Sequence, residues 1–312
     1  MGGMTPPTPP SVTVVVPVRN GFGCLPALLK ALRAQTVDPG LFEVIVVDDC
    51  STDDTPELVE ASGFARLATM ERQGGSYAAR NAGLALARAD VLAFTDADCV
   101  PTSTWIEYGL ASLRDSGADL LAGRIDVPLG ERPTAAELLG MAKHHLDQEH
   151  HVVQNGYGAT ANLWVKGSVF EQAGPFDPSM VSGGDGEFCR RATAAGARLG
   201  YDPAVVVTHP PRATMSELVR KQFRIGFGVA QLRRREDEGT APALWNKPGA
   251  YIPRARIRGL DLVEQRGYRL SGWQRVRVAS VQYLGALSLA LGDLTGALHN
   301  RVAHSERVSA AR

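Results

Sequence analysis

The cysteines of this sequence form no recognisable set. Cys24, Cys50, Cys99 and Cys189 are scattered through 312 residues with no CxxC spacing. That excludes a zinc ribbon and a disulfide-built scaffold, and it favours a reducing compartment. A long apolar run is also missing. The closest approach, Ala279–Leu291, contains Gln282 and stops before Asp293, short of the roughly 18 residues a membrane span needs. The opening MGGMTPPTPPS has neither a basic residue nor an apolar core, so it does not read as a signal peptide. Its prolines predict a disordered leader over 1–11. No internal repeat stands out, and no net charge of one sign exists, since 33 basic residues face 33 acidic ones. Nucleic acid is accordingly not an expected partner.

The balance is uneven along the chain. From Arg212 onward there are 18 lysines and arginines against 8 acids, leaving 15 against 25 before it. An acidic first part suits metal binding. A basic tail suits anionic phosphate or a membrane surface, and equally a set of solvated faces. With 44% hydrophobic residues, the chain has ample material for a core.

Strand-like and helix-like segments alternate from Val12 to about Arg124, the pattern of βα units and a parallel sheet. Val12–Val16, Phe42–Val47, Ala65–Ala68, Val91–Thr95 and Ala118–Ile125 read as strands. Leu25, Leu28, Leu29 and Leu32 fall at helical spacing, and a second helix is expected from about Ser76 to Arg88. Ser51 or Thr52 is placed to cap a helix whose acidic first turn holds Asp53 and Asp54. Beyond Ile125 the spacing predicts one helix over Ala135–His150, carrying His144, His145, His150 and His151. A further helix near Gly186–Ala195 and a strand at Leu199–Val207 follow.

Continuous apolar strands are buried on both faces, and ligands of such sheets sit beyond the carboxyl ends of the strands. The second strand ends in Asp48-Asp49, suited to accept from an imide N–H or from ribose hydroxyls. The fourth exits through Thr95-Asp96-Ala97-Asp98. If the extended conformation persists, the two carboxylates at spacing two project to one side and can hold Mg²⁺ or Mn²⁺ against a diphosphate. Gly21-Phe22-Gly23 resembles the start of a dinucleotide fingerprint, but Pro26 stands where its third glycine belongs.

Taken together, Val14-Val15-Val16-Pro17-Val18-Arg19-Asn20, Val46-Val47-Asp48-Asp49-Cys50-Ser51-Thr52-Asp53, Ala79-Arg80-Asn81-Ala82-Gly83 and Thr95-Asp96-Ala97-Asp98 resemble the family 2 glycosyltransferases of GT-A fold. The resemblance runs from about Val12 to Gly228. It implies an α/β, GT-A-type (Rossmann-like) fold with a mainly parallel sheet flanked by helices. It implies too that Pro17, Arg19 and Asp49 hold the nucleotide base, with Arg72 and the Arg80-Asn81 pair near the nucleotide. Asp98 would coordinate metal and Asp96 would lie near the ribose or donor sugar. The implied reaction inverts the anomeric centre of a nucleoside diphosphate sugar, expected to be a UDP-sugar.

On the acceptor side, Asp185 of the run Ser182-Gly183-Gly184-Asp185-Gly186-Glu187 aligns with the family's general base, while Gly184 replaces the acid that usually precedes it. A positioned carboxylate is needed because an acceptor hydroxyl is a poor nucleophile at neutral pH. The resemblance further marks His209 as a metal ligand, and Asn162, Trp164 and Glu187 as acceptor contacts. Core burial of Trp164 and solvation of Glu187 are the competing expectations. The acceptor itself is a hydroxyl of a glycan, a lipid-linked sugar or a small molecule.

The expected organisation is a catalytic domain over 12–228, with its nucleotide half ending at 125, and a basic helical extension over 229–312. Arg220, Lys221 and Arg224 lie on a helix expected to end at Gly226-Phe227-Gly228. Val281, Leu284, Leu287, Leu291, Leu294 and Leu298 make an apolar stripe behind Arg275 and Arg277. Such a stripe fits an interfacial helix on anionic lipid, and equally packing on the catalytic domain or on a second subunit. A cytoplasmic enzyme at the inner face of the membrane is the resulting expectation. Two other classes compete: a nucleotide-sugar-binding protein without transfer activity, and a nucleotidyltransferase, which would want a glycine cradle that Val16–Asn20 lacks.

Overall fold

A computed structural model describes residues 9–236 and 260–310. The expected leader therefore lies mostly outside the described residues, as does 237–259 of the basic extension. The chain divides into two compact units. The first comprises residues up to Val127, Leu146–Ser179 and Asp185–Pro210; the second comprises Pro128–His145, Met180–Gly184 and the chain from Pro211 onward.

In the first unit, β1 (Val12–Val18), β2 (Phe42–Asp48), β3 (Arg66–Thr69), β4 (Val91–Thr95), β5 (Val100–Pro101), β6 (Leu120–Asp126), β7 (Asn162–Lys166) and β8 (Leu199–Thr208) form one sheet. Their order is β3-β2-β1-β4-β7-β6-β8-β5. Strands β3, β2, β1 and β4 run parallel, and β7 is antiparallel to both neighbours. Every residue of β1 is buried, as a strand covered on both faces requires. The β1–β4 register ends at Val15, whereas β1–β2 pairing continues to Val18↔Asp48. Pro17 thus falls where the sheet opens on its β4 side, and chain order reverses there, with β2 on one side of β1 and β4 on the other. Ligand crevices form at such points.

Helices α1 (Leu25–Arg33), α2 (Thr55–Ser62), α3 (Gly75–Leu86) and α4 (Trp105–Asp115) connect the strands. Leu25, Leu28, Leu29 and Leu32 are all buried, each contributing about 1.5–3 kcal/mol relative to exposure. Helix α3 lies close on the sheet: a Cβ at Gly83 would stand 2.4 Å from Val15 Cγ1, so only glycine fits.

Several expectations are corrected. Ser51 and Thr52 do not cap α2, which starts later, after Asp54. The helix expected over Ala135–His150 is two, α5 (Ala135–Ala142) and α6 (Gln148–Asn155), broken where His144 and Leu146 take φ of 51° and 64°. Helix α7 (Gly167–Ala173) follows β7, and α8 (Gly184–Ala194) precedes β8.

In the second unit, α9 (Met215–Glu236) runs straight through the glycines expected to end it and packs on α11 (Gly272–Ala310), with α10 (Leu260–Gln265) between them in sequence. These glycines serve close approach. A Cβ at Gly226 would stand 1.9 Å from Leu289 O, and one at Gly292 would stand 2.0 Å from Phe223 O. Arg233 and fully buried Asp293 form an ion pair at 2.6 Å across the same contact. The boundary at 228, taken from the extent of the family resemblance, therefore falls inside a continuous helix, and residues 211–228 belong with the helices that follow, as the change to basic composition after Arg212 suggests. The apolar stripe of α11 is split: Val281 is buried, whereas Leu284, Leu291 and Leu298 are exposed. No helix among the described residues is long and apolar enough to cross a membrane.

Candidate active site

Two loops leave the sheet side by side, after β1 and after β2, and their side chains stitch them together. Asn20 Oδ1 accepts from Thr52 N at 2.8 Å, Ser51 Oγ accepts from Asn20 N at 2.8 Å, and Thr55 Oγ1 accepts from Gly21 N at 2.9 Å. Asp53 accepts from Phe22 N and from Thr55 Oγ1, and the Thr55 hydroxyl holds its carboxyl below the usual range. The polar run after Asp48-Asp49 is therefore a brace for the β1 loop, on which Arg19 is exposed.

Asp49 aims at the next helix. Its two oxygens accept from Gly74 N at 2.7 Å and Gly75 N at 2.9 Å, fixing the start of α3. Gly75 takes φ of 82°, a left-handed conformation that glycine adopts without strain. Asp49 is 5% exposed, and each oxygen keeps a further lone pair. Arg72, in the loop just before these glycines, is exposed.

From α3, Tyr77 and Arg80 project at helical spacing three, on one face. Arg80 is 3% exposed and its Nη2 stands 2.6 Å from Asp96 Oδ1, while its guanidinium lies 5.6 Å from the Tyr77 ring centroid. Asn81 faces elsewhere and pairs its amide with the backbone of Phe176, at 2.7 and 3.0 Å.

Asp96 and Asp98 do not share a side, contrary to the extended-chain expectation. Cys99 N donates to Asp96 O at 3.0 Å, closing a turn, so Asp96 goes to Arg80 and Asp98 to His209. The pairing of Val100 with Thr208 in β5–β8 holds the turn against the end of β8. His209 Nε2 then stands 3.6 Å from Asp98 Oδ1. His209 Nδ1 lies 2.7 Å from Pro210 O; a carbonyl only accepts, so Nδ1 carries the proton and Nε2 offers its lone pair.

This donor set fits a divalent ion. At metal–ligand bonds of about 2.1 Å, adjacent octahedral ligands lie roughly 3 Å apart and opposite ones roughly 4 Å, a range that spans the Asp98–His209 separation. Cys99 Sγ is also within 4.8 Å of both, but burial pushes its thiol well up, and a neutral thiol is a poor ligand for a hard cation.

Asp185, in the first turn of α8, joins the same group of residues. Tyr77 Oη donates to its Oδ1 at 3.3 Å and Gly186 N donates to the same oxygen at 3.0 Å. Burial pushes its carboxyl above the usual range; the Gly186 N–H and Arg80 draw it down, and Asp96 adds to the rise. Tyr157, after α6, stacks on His151 at 4.8 Å, and burial together with the Asp185 charge pushes its phenol up.

The sequence pattern described as glycosyl transferase family 2 matches residues 13–174, more than half the chain. The chain belongs to the family 2 glycosyltransferases. A glycosyltransferase of Haloferax volcanii, AglE, is 35% identical over 229 residues, covering 72% of this chain and 75% of AglE. The pre-mycofactocin glycosyltransferase of Mycobacterium tuberculosis is 31% identical over 94% of this chain, which spans 64% of that protein's length. Among solved structures, the mannosyltransferase PcManGT of Pyrobaculum calidifontis, in complex with GDP-Man and Mn²⁺, superposes with a TM-score of 0.63 at 18% identity, covering 92% of this chain and 88% of that one. That likeness shows the GT-A fold. The family match ends before Asp185 and His209, so these two are located by geometry.

Within this glycosyltransferase, Asp96, Asp98, His209, Arg80 and Asp185 come together, with Pro17, Arg19 and Asp49 at the neighbouring β1 and β2 ends and Arg72 in the loop between β3 and α3. Asn162 and Trp164 do not join them, a correction to their expected acceptor contacts: both are 0% exposed. Asn162 fills the register break between Gly123 and Arg124. It donates to Arg124 O and Val205 O and accepts from Trp105 Nε1, all at 2.9 Å, supplying hydrogen bonds the interrupted ladder lacks. Trp164 packs under Gly109 and against Trp105. Glu187 is committed as well, paired with Arg191 at 2.8 Å. Tyr77 is the site residue that sequence reasoning missed. Its position on the Arg80 face of α3, one turn earlier, was the available signal.

Proposed function

We propose that this glycosyltransferase moves a sugar from a nucleoside diphosphate sugar to an acceptor hydroxyl with inversion, with Asp185 as general base. The observation that carries the reading is the Asp185 carboxylate: desolvated, with Oδ1 held by two donors and Oδ2 accepting no hydrogen bond among the described residues. Desolvation makes the ionised carboxylate a stronger base than a solvated one. Oδ2 takes the acceptor proton as the acceptor oxygen bonds to the anomeric carbon. On the opposite face the bond from that carbon to the diphosphate oxygen breaks.

Arg80 binds and orients the departing diphosphate, with Asp96 fixing the guanidinium. Pro17, Arg19 and Asp49 border the nucleoside at the β1 and β2 ends, with Arg72 reaching it from the loop between β3 and α3. Asp98 and His209 would hold a divalent cation, Mn²⁺ or Mg²⁺, which would supply neutralisation of the charge on the diphosphate. The GDP-Man and Mn²⁺ bound by PcManGT support both the donor class and the ion.

A peripheral contact with anionic lipid completes the reading. Trp273 is 78% exposed and continues through Val276, Leu284, Leu291 and Leu298, with Arg266, Arg269 and Arg277 exposed at the same end. Between Glu264 and Leu298 the single acid is Asp293, which is buried and paired. An apolar-and-basic face of this kind is complementary to an anionic bilayer, and such a contact suits a lipid-linked acceptor.

The decisive experiment assays Asp185→Asn against a panel of UDP- and GDP-sugars with Mn²⁺. Donor binding should persist while transfer falls by about 10²-fold or more. Near-parental turnover would remove Asp185 from the mechanism, and donor binding by the parent with neither transfer nor donor hydrolysis would leave a binding protein instead.

A further inference from the structure

The base of this site has no acidic neighbour in sequence, because residue 184 is glycine. A lone carboxylate at a helix start is free to rotate about χ2, and a base must present one oxygen to the acceptor throughout the reaction. Something else has to fix it.

Tyr77 is built to do so. Its ring is buried against Phe176, with centroids 6.0 Å apart, and lies under the Arg80 guanidinium. Packing of the ring fixes where its phenolic oxygen stands, and Asp185 Oδ1 accepts from it at 3.3 Å. The Gly186 N–H reaches the same oxygen. Two donors on one oxygen leave the other free.

We propose that Tyr77 is the positioning residue of the base: its phenol pins Oδ1 of Asp185, in the role an adjacent acid would otherwise serve, and so presents Oδ2 to the acceptor hydroxyl. The inference rests on Asp185 being the base. The contact also couples the two halves of the site through one helix, since Arg80, one turn along α3, binds Asp96. Displacement of α3 would then misplace the base and the diphosphate-binding arginine together.

The other charged or titratable groups facing Asp185 are Arg80 on α3, Asp96 after β4, Tyr157 after α6, and Cys189 on α8. Glu187, also on α8, is neutralised by Arg191. None of these changes in Tyr77→Phe, which keeps the ring and removes only the donor. A hydrogen bond to the ionised carboxylate favours that form, so its loss raises the carboxyl pKa.

The test is the titration of the Asp185 carboxyl by carbon-detected NMR, assigned by its absence in Asp185→Asn, together with kcat against pH. In Tyr77→Phe the titration should move up by about one unit and kcat should fall by about tenfold, with the acid limb displaced upward and donor KM unchanged. Incorporating 3-fluorotyrosine at position 77 strengthens the donor and should move the titration down, and it serves if the phenylalanine variant folds poorly. A purely structural role would move neither. If Asp185→Asn is inactive while Tyr77→Phe titrates and turns over like the parent, the role of Tyr77 is overturned alone. If Asp185→Asn transfers at full rate, the base assignment falls and this inference with it.

Discussion

Arg80 Nη2 stands 2.6 Å from Asp96 Oδ1, while the Nε of the same guanidinium is buried with no hydrogen-bond partner among the described residues. A buried donor left unpaired destabilises by about 1–3 kcal/mol, so native proteins keep few of them, and those kept tend to have a use. Here the arginine that keeps such a donor is held by Asp96 at the strand ends, where the diphosphate is proposed to lie.

Arg80→Met should therefore act on both stability and binding. Asp96 is about a third exposed, so the loss lies between that of a surface pair and that of a buried one, about 1–3 kcal/mol. Urea unfolding should show it, and calorimetric titration with a nucleoside diphosphate should show at least about tenfold weaker binding. Parental affinity would remove Arg80 from the donor site.

The raised Asp185 carboxyl makes a prediction about stability alone. A group whose folded pKa lies above its unfolded value adds stability at pH below the unfolded value, about 4 for aspartate, and that stability is lost as pH rises through the folded one. At pH 7 the partly desolvated charge is a burden on the fold. Asp185→Asn should accordingly raise the Tm at pH 7, and the gain should vanish near pH 4. An equal Tm difference at both pH values would show that burial does not burden the charge.

Removal of either proposed metal ligand should weaken the ion more than the fold. Asp98→Asn and His209→Ala should each reduce Mn²⁺ affinity by about 10- to 100-fold, read from water-proton relaxation with a nucleoside diphosphate present. A chelator should abolish transfer by the parent. Unchanged Mn²⁺ affinity in both variants would place the ion elsewhere.

Flotation with vesicles tests the outer face of α11. The full chain should rise with phosphatidylglycerol vesicles at low salt and less so at about 0.5 M salt, since exposed charges are screened there. Leu284→Ser with Leu291→Ser should abolish flotation without lowering the Tm, because both side chains are exposed. If the parent stays at the bottom and runs as a dimer that this double variant converts to monomer, the face pairs two copies instead.

Much of the sheet was legible because continuous apolar runs admit few alternatives. Val12–Val18, Phe42–Asp48 and Val91–Thr95 lie within a residue or two of their expected bounds. The strand-end acids were legible too, since a polar residue closing a buried strand stands at the sheet's edge whatever follows it. Their pairing was not. Asp96 and Asp98 part company because of one backbone turn, and Asp49 spends its first hydrogen bonds on α3, which begins 26 residues later. The glycines of α9 look like a stop signal in one dimension, and they become a contact surface only when α11 lies against them.

The residue types alone therefore determined a parallel α/β sheet, the edge at which its ligand-binding acids gather, and the family to which the chain belongs. The sheet and its edge follow from burial and from side-chain period, which are local; the family follows from the resemblance carried by the ordered motifs. Tertiary structure decided which acid meets which partner: Arg80 for Asp96, His209 for Asp98, Tyr77 for Asp185, and the interior for Asn162 and Trp164. Directional bonds of about 3 Å between residues as far as 108 positions apart depend on where the backbone puts them, and side-chain spacing does not encode that.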